Sequence, residues 1–176
     1  MTPDRIVVLE RSRELSFSFA DMLEYHGGGS PGGVAHAFKV MQRGLPLLDA
    51  GRPVQRRAIL IETAFGGPGA RDAFELVTRA VGEERFVVDP SLGQPEHGRA
   101  RERFVFRLRW HDEAVTVALR EGFVTDEFID LTRRDGRSAD EEQVLAAMKS
   151  DMAARVMAAD AAAVYDVAAS RPRSRT

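Results

Sequence analysis

The sequence predicts an α+β fold in which helices pack on a small, mostly antiparallel sheet, with a long C-terminal helix. Residues 104–119 alternate apolar and polar side chains on both sides of a turn near His111, which is typical of a half-buried antiparallel hairpin. Helical spacing of apolar residues recurs in several other segments. The segment 57–63 contains four consecutive apolar residues, 58–61, and indicates an interior strand, although periodicity alone leaves a helical segment open.

The N-terminal part begins with a strand-like run at Arg5–Glu10. A short helix is expected next, capped by Ser18 or the nearby Ser16. This helix must stop at glycines 27–29, where the backbone loses the restraint that a Cβ atom imposes.

Ser30 and Pro31 favour a second helix, since serine is a good N-cap and proline is tolerated at the first helical position. Gly44 and Pro46 predict a kink or a break near the end of this helix. Its apolar positions recur at steps of four and three and form one buried face: Val34, Phe38, Met41, Leu45 and Leu48.

The middle of the chain predicts a helix over 70–81 that Gly82 closes, and a short strand at Phe86–Val88. Thr125 or Asp126 can cap a further short helix before the C-terminal one.

The C-terminal helix begins at Ser138, where Ser138 and Glu141 have capping-box spacing, and its helical pattern continues to Val167. A helix of about 30 residues would be roughly 45 Å long, which exceeds the width of a domain of this size. We therefore expect that the helix breaks, or that its far end lies against a second copy in a homodimer. Residues 1–170 are expected to form a single α+β domain, and 171–176 a disordered basic tail.

Composition excludes several classes of function. Among the 176 residues, 25 lysines and arginines nearly balance 27 aspartates and glutamates, so no global field attracts nucleic acid or an anionic membrane. Arg103, Arg107 and Arg109 alternate with buried aromatics, and we interpret them as a solvated face with no nucleic-acid role. No apolar run approaches the roughly 20 residues of a membrane helix, and the absence of cysteine suits a reducing, cytoplasmic location.

Residues 25–33 are the first candidate site. Glycines allow a backbone to approach a ligand closely, and a helix start offers free N–H groups to an anion. Tyr25, His26, Gly28, Gly29 and Ser30 are the candidate ligand-binding residues, with His26 as a proton donor or acceptor. The alternative is a tight corner in which serine only caps the helix.

Glycines 66, 67 and 69 lie in a second candidate turn that follows the apolar strand. Arg71 near a helix start opposes the helix dipole, which suggests that it faces an anion; pairing with Asp72 or Glu75 on a wet surface is the alternative. Glu62 and Asp72 are candidate acid–base partners of His26. The other histidines are expected to lack a functional role: His36 on a helix surface, and His97 and His111 solvated.

The chain resembles the formylmethanofuran dehydrogenase E-subunit family. Residues 25–32, Tyr-His-Gly-Gly-Gly-Ser-Pro-Gly, align without a gap with that family's aromatic-His-Gly-His-x-Cys-Pro-Gly turn. Glu62-Thr63, Asp72-Ala73 and the segment 78–81 follow in the family's order, then the hairpin, so that the resemblance covers about residues 15–155.

The resemblance implies a metal site, from which this sequence departs. Gly28 replaces the second histidine, Ser30 replaces the cysteine, and Ala80 supplies no ligand, so that only His26 remains. One imidazole does not hold a transition metal tightly, and we expect no tightly bound metal; any cofactor is unknown.

These observations lead to three alternatives. The chain is expected to be a small-ligand-binding or accessory protein for an anionic or polar ligand. The rivals are a metal-assisted or acid–base enzyme that uses His26 with Glu62 or Asp72, and a structural interaction module.

Overall fold

The computed structural model of the protein describes residues 4–168, so the basic tail expected at 171–176 lies outside the described residues. The strands are β1 (Arg5–Glu10), β2 (Arg13–Ser18), β3 (Ile59–Thr63), β4 (Phe86–Val88), β5 (Val105–Trp110), β6 (Glu113–Leu119) and β7 (Tyr165–Val167). The helices are α1 (Phe19–His26), α2 (Pro31–Gly44), α3 (Pro68–Thr78), α4 (Asp126–Arg133), α5 (Ala139–Ala158) and α6 (Ala161–Val164).

Two sheets and these helices confirm the α+β prediction. β1 and β2 form an antiparallel hairpin, and the other strands form a five-stranded sheet in the order β4-β3-β5-β6-β7. Within this sheet, β3 and β4 pair in parallel, and the other described neighbours are antiparallel. The predicted β5–β6 hairpin is confirmed, with His111 in its turn. The strand β2 was not predicted, because its alternation rests on only Leu15 and Phe17.

α2 is the central helix of the layer that covers one face of the sheet. It packs on α3 and α5, and its own residues are buried on nearly every side. Gly44 ends α2 against the sheet, where an added Cβ would lie 3.4 Å from Val115 Cγ1 and would overlap the Leu108 side chain further. The chain continues as a short 3-10 turn, Leu45–Leu47, which confirms the predicted break near Pro46.

Capping explains where several helices begin. Ser18 and Ser138 each form a capping box with the residue three positions later, and the Thr125 hydroxyl accepts a hydrogen bond from Phe128 N. Ser30 occupies the N-cap position of α2 as predicted, yet its side chain makes no capping hydrogen bond. The first-turn amides of α2 therefore have no side-chain acceptor.

The C-terminal helix is shorter than its apolar pattern predicts. α5 ends at Ala158, and the chain then forms the single turn α6 and the edge strand β7, which pairs with β6. The 20 residues of α5 span about 30 Å, so the helix is no longer than a domain of this size is wide. Its length therefore does not indicate a second copy of the chain. Self-association stays a prediction.

The hydrophobic core lies between the helix layer and the inner face of the five-stranded sheet. It includes fully buried Phe38, Phe74, Phe106 and Leu108, and it also takes in Val8 of the β1–β2 hairpin. Within residues 4–168, no helix combines the length and apolarity that crossing a membrane would require.

Candidate functional site

The two glycine-rich turns meet at one cavity. Ser30, Gly32 and Gly33 at the start of α2, and residues 66–69 at the start of α3, line a hollow of about 460 Å³. The second turn follows the carboxyl end of β3, and β3, α3 and β4 form a parallel β-α-β unit, in which ligands bind at that edge. We call this hollow the interhelix cavity.

Glycine is required for the close approach of α2 and α3. A Cβ atom at Gly69 would overlap the Ser30 carbonyl oxygen and would lie 3.0 Å from Val34 N. A Cβ atom at Gly33 would lie 3.0 Å from Ala70 N. These neighbours are backbone atoms that cannot swing aside, so the glycines set the distance between the two helix starts.

Both helix starts are uncapped by side chains. The N-cap residue of α3 is Gly67, which has no side chain, and Pro68 occupies its first turn. The hydroxyl of Ser30 makes no capping bond to α2. Two helices of 14 and 11 residues therefore direct the positive ends of their dipoles toward the same region of the molecule.

Four cationic side chains line the interhelix cavity, and the lining drawn from the described residues includes no acidic residue. They are Arg99, Arg103, Arg133 and Lys149. The side chain of Arg103 is exposed and has no hydrogen-bond or ion-pair partner among residues 4–168. Lys149 Nζ donates to the Gly29 carbonyl oxygen at 3.3 Å. Arg103 is thus the cation most available to an incoming anion.

The remaining two arginines connect the loop before β5 with α4. Arg99 Nη1 lies 2.7 Å from Asp130 Oδ1, and Arg133 Nη2 lies 3.6 Å from Glu102 Oε1. About half of each side chain in the Arg99–Asp130 pair is exposed, so solvent screens the pair and it contributes at most about 1 kcal/mol. An anionic ligand can therefore compete with these carboxylates for the two arginines.

Aromatic and aliphatic side chains form the rest of the cavity wall. The rings of Phe65 and Phe104 stack with centroids 4.4 Å apart and planes inclined by 24°. A Cβ atom at Gly67 would overlap the Phe65 ring, so glycine is needed for this ring position. Phe128 and Ile129 of α4 complete the apolar wall.

His26 joins three helices. Its Nε2 atom accepts a hydrogen bond from Ser30 N–H at 2.9 Å. Because this nitrogen is an acceptor, Nδ1 carries the ring proton and donates to Asp72 Oδ2 at 2.7 Å. The His26 side chain is only 7% exposed. The predicted partner Asp72 therefore lies beside His26. Both ring nitrogens are occupied, and their two hydrogen bonds tie α1 and α3 to the start of α2.

Glu62 lies on the other face of the sheet. It pairs across the strands with Arg107, whereas its neighbour Thr63 pairs with Phe106, and Phe106 packs on Phe74 of α3. Since successive residues of a strand point to opposite faces, Glu62 points away from α3. Its Oε2 atom lies within 3.8 Å of Arg107 and Arg109. The structure does not bring Glu62 to His26.

The other candidate residues separate into two groups. Ser30 lines the interhelix cavity, whereas Tyr25, Gly28 and Gly29 are exposed and lie outside its lining. Arg71 is also exposed and outside the lining, and its side chain has no partner among residues 4–168, so the alternative pairing with Asp72 or Glu75 is not formed.

The residues present do not fit the metal site that the family resemblance implies. Both nitrogens of His26 are used within the chain, and positions 28 and 30 offer a glycine and a hydroxyl that makes no capping bond. Within residues 4–168, no three histidine, aspartate or glutamate side chains gather where they could hold a metal ion. We derive no step through a metal.

His36 is a buried residue that the sequence placed on a helix surface. It is fully buried, and its Nδ1 atom lies 2.8 Å from the Tyr165 hydroxyl while Nε2 has no partner among the described residues. Burial lowers the pKa of His36 to about 3, with a smaller contribution from the charge of Arg155. The prediction for His36 was wrong because α2 is surrounded by other elements and has no wet face there. His111 is exposed as predicted, and His97 is half-buried.

A second hollow, of about 320 Å³, lies between β1 and the end of α2. Its lining includes Arg5 and Arg52 together with Glu14. Arg5 donates to Ser16, and Arg52 to Asp49, so its cations already have partners. The interhelix cavity is the better candidate site because it combines a free cation with two uncapped helix starts.

No family model and no curated protein matches this chain. The resemblance of residues 25–32 to the formylmethanofuran dehydrogenase turn therefore remains a prediction from the sequence.

Proposed function

We propose that this chain is a small-ligand-binding or accessory protein that resembles the core of the formylmethanofuran dehydrogenase E-subunit family and holds an anionic ligand in the interhelix cavity. The observation that supports this most is the convergence of two glycine-rich helix starts and four cationic side chains on one hollow. The volume of about 460 Å³ is within the range of about 300–1,000 Å³ typical of small-molecule sites.

The electrostatics favour an anion over a neutral or cationic ligand. Uncapped amides at a helix start attract negative charge, and so do arginines that project into the same hollow. Arg103 gives up no ion pair when it binds the ligand, because it has none among the described residues. A hydrogen bond to a charged group contributes about 1.5–3 kcal/mol, so this one contact could carry much of a millimolar affinity.

The acid–base enzyme that pairs His26 with Glu62 or Asp72 receives less support. A general base needs a free nitrogen within hydrogen-bond reach of the substrate, and both nitrogens of His26 have partners within the chain. We therefore assign His26 a structural role: its two hydrogen bonds stabilise the packing of α1 and α3 against the start of α2, whereas the glycines of the two helices set the shape of the cavity.

Thermal unfolding in inorganic phosphate tests the proposal. Phosphate at ten times its dissociation constant would stabilise the protein by about 1.4 kcal/mol, which raises the Tm of a chain of this size by roughly 3–6 °C. Potassium chloride at matched ionic strength should give no comparable rise.

Two arginine variants locate the site. Arg103→Ala should abolish most of the stabilisation by phosphate, whereas Arg71→Ala should leave it unchanged, since both side chains are exposed and unpaired among residues 4–168 but only Arg103 lines the cavity. No rise in Tm at phosphate concentrations up to about 20 mM, or equal losses in the two variants, would contradict the proposal. A protein unaffected by any anion would favour the structural interaction module.

A further inference from the structure

We infer, as an extension that rests on the proposed function, that the ligand is an amphipathic organic anion: one anionic group joined to a flat apolar body. The size of the cavity, its apolar wall and the pairing of its cations support this class of ligand independently. An inorganic anion, or an apolar molecule without charge, would satisfy only part of the site.

The cavity is too large for an inorganic anion alone. A phosphate or sulfate ion has five heavy atoms, whereas hollows of this volume, about 460 Å³, hold ligands of drug-like size. A lone phosphate at Arg103 would leave most of the hollow filled with water against phenylalanine rings. Because removing apolar surface from water is favourable, a ligand that also covers these rings would bind more tightly.

The apolar wall suits a flat ring system. Phe65 and Phe104 already stack on each other at 4.4 Å, and Phe65 is only partly buried, so its ring retains accessible surface. Aromatic rings prefer offset-stacked or edge-to-face partners, and a ligand ring can provide either arrangement. Phe128 on α4 is also partly exposed and lines the same hollow.

The cations suit a single anionic group. Arg103 is free among the described residues, but Arg99 and Arg133 are held by Asp130 and Glu102, and Lys149 donates to a backbone carbonyl. One carboxylate, sulfonate or phosphate can bind Arg103 without breaking either ion pair. A polyanion would have to displace both carboxylates before it gained further contacts.

A fluorescence titration with 8-anilinonaphthalene-1-sulfonate tests this inference. This probe is an aromatic anion whose emission rises in apolar sites. N-phenyl-1-naphthylamine serves as its neutral analogue, and inorganic sulfate, measured by displacement and by calorimetry, serves as the anion without an apolar body. We expect one molecule of the sulfonate per chain, with a dissociation constant at least about tenfold lower than that of either control.

Two phenylalanine variants separate the contribution of the apolar wall to binding from the contribution of the cations. Phe128→Ala should weaken the aromatic sulfonate about tenfold, or 1.4 kcal/mol, and leave sulfate binding unchanged, because only the ligand's apolar body contacts this ring. Phe19→Ala is the matched control: Phe19 is a half-buried ring in the first turn of a short helix, and it packs on Phe38 away from the cavity. Its removal should lower stability without changing either affinity.

The outcomes distinguish the two proposals. If sulfate binds at Arg103 as tightly as the aromatic sulfonate, the amphipathic ligand class is wrong although anion binding stands. If the neutral analogue binds as tightly as the sulfonate and Arg103→Ala has no effect, the hollow is an apolar site and both proposals fail. If neither anion binds, both are also overturned.

Discussion

Gly69→Ala should destabilise the protein more than an ordinary helix substitution, because it separates the two helices that form the cavity. The added methyl group would overlap the Ser30 carbonyl oxygen, so α2 and α3 would have to move apart by roughly 1 Å to restore normal contact. Overpacking of this kind costs about 1–3 kcal/mol, and the gain in helix propensity returns at most about 1 kcal/mol. We expect a net loss of about 1–2 kcal/mol in the free energy of unfolding.

Gly32→Ala is the matched control on the facing helix. Its methyl group would lie 2.9 Å from Met152 Sδ, the flexible part of a side chain that can rotate away. The change in the free energy of unfolding should stay within about 1 kcal/mol, because the gain in helix propensity offsets the adjustment. Urea denaturation monitored by circular dichroism measures both variants. Equal stability of the Gly69 and Gly32 variants would refute the close approach of α2 and α3.

Three further predictions concern the Arg99–Asp130 ion pair, the hydrogen bonds of His26 and the dependence of stability on pH. Asp130→Asn frees Arg99 and should lower the dissociation constant of the aromatic sulfonate about twofold to fivefold, the range expected of an exposed pair; weaker binding would contradict competition for Arg99. His26→Ala should cost about 1–2 kcal/mol of stability in urea denaturation while the anion affinity of the folded protein changes little; lost affinity at full stability would instead make His26 a ligand contact. Burial lowers the pKa of His36 to about 3 in the folded protein, so this ring binds a proton at a higher pH in the unfolded chain than in the folded protein. The free energy of unfolding should therefore decrease as the pH drops from about 6.5 toward 3. This loss should be smaller in His36→Gln, and an equal loss would contradict the burial of a neutral ring.

Local patterns predicted much of the fold correctly because they depend on neighbours in sequence. The capping box at Ser138 and the apolar run of β3 are examples: each depends on a few adjacent residues. A break in the C-terminal helix was one of two expected alternatives, but its position at Ala158 was not predicted, since no glycine or proline marks it and the alanine-rich pattern continues past the break. Pairing of β7 with β6 determines that segment, and such pairing joins residues far apart in sequence.

The candidate site was only partly predictable for the same reason. The two glycine turns could be found because glycine and proline act on the local backbone. The cationic side chains of the cavity could not be found from the sequence, because Arg103 and Lys149 come from distant segments and no spacing connects them. Arg71 was favoured because a cation near a helix start opposes the helix dipole, but this local argument does not determine whether its side chain reaches the cavity. His36 was misplaced because an apolar stripe describes a helix with one buried face, whereas α2 is buried nearly all round.

An ¹H–¹⁵N correlation spectrum titrated with 8-anilinonaphthalene-1-sulfonate tests the central claim most directly. Saturable shifts should concentrate at the amides of Gly32, Gly33, Gly69 and Arg103, which come from three separate segments around one hollow. Shifts confined to residues 25–29 and Arg71, or spread over the surface without saturation, would contradict the account.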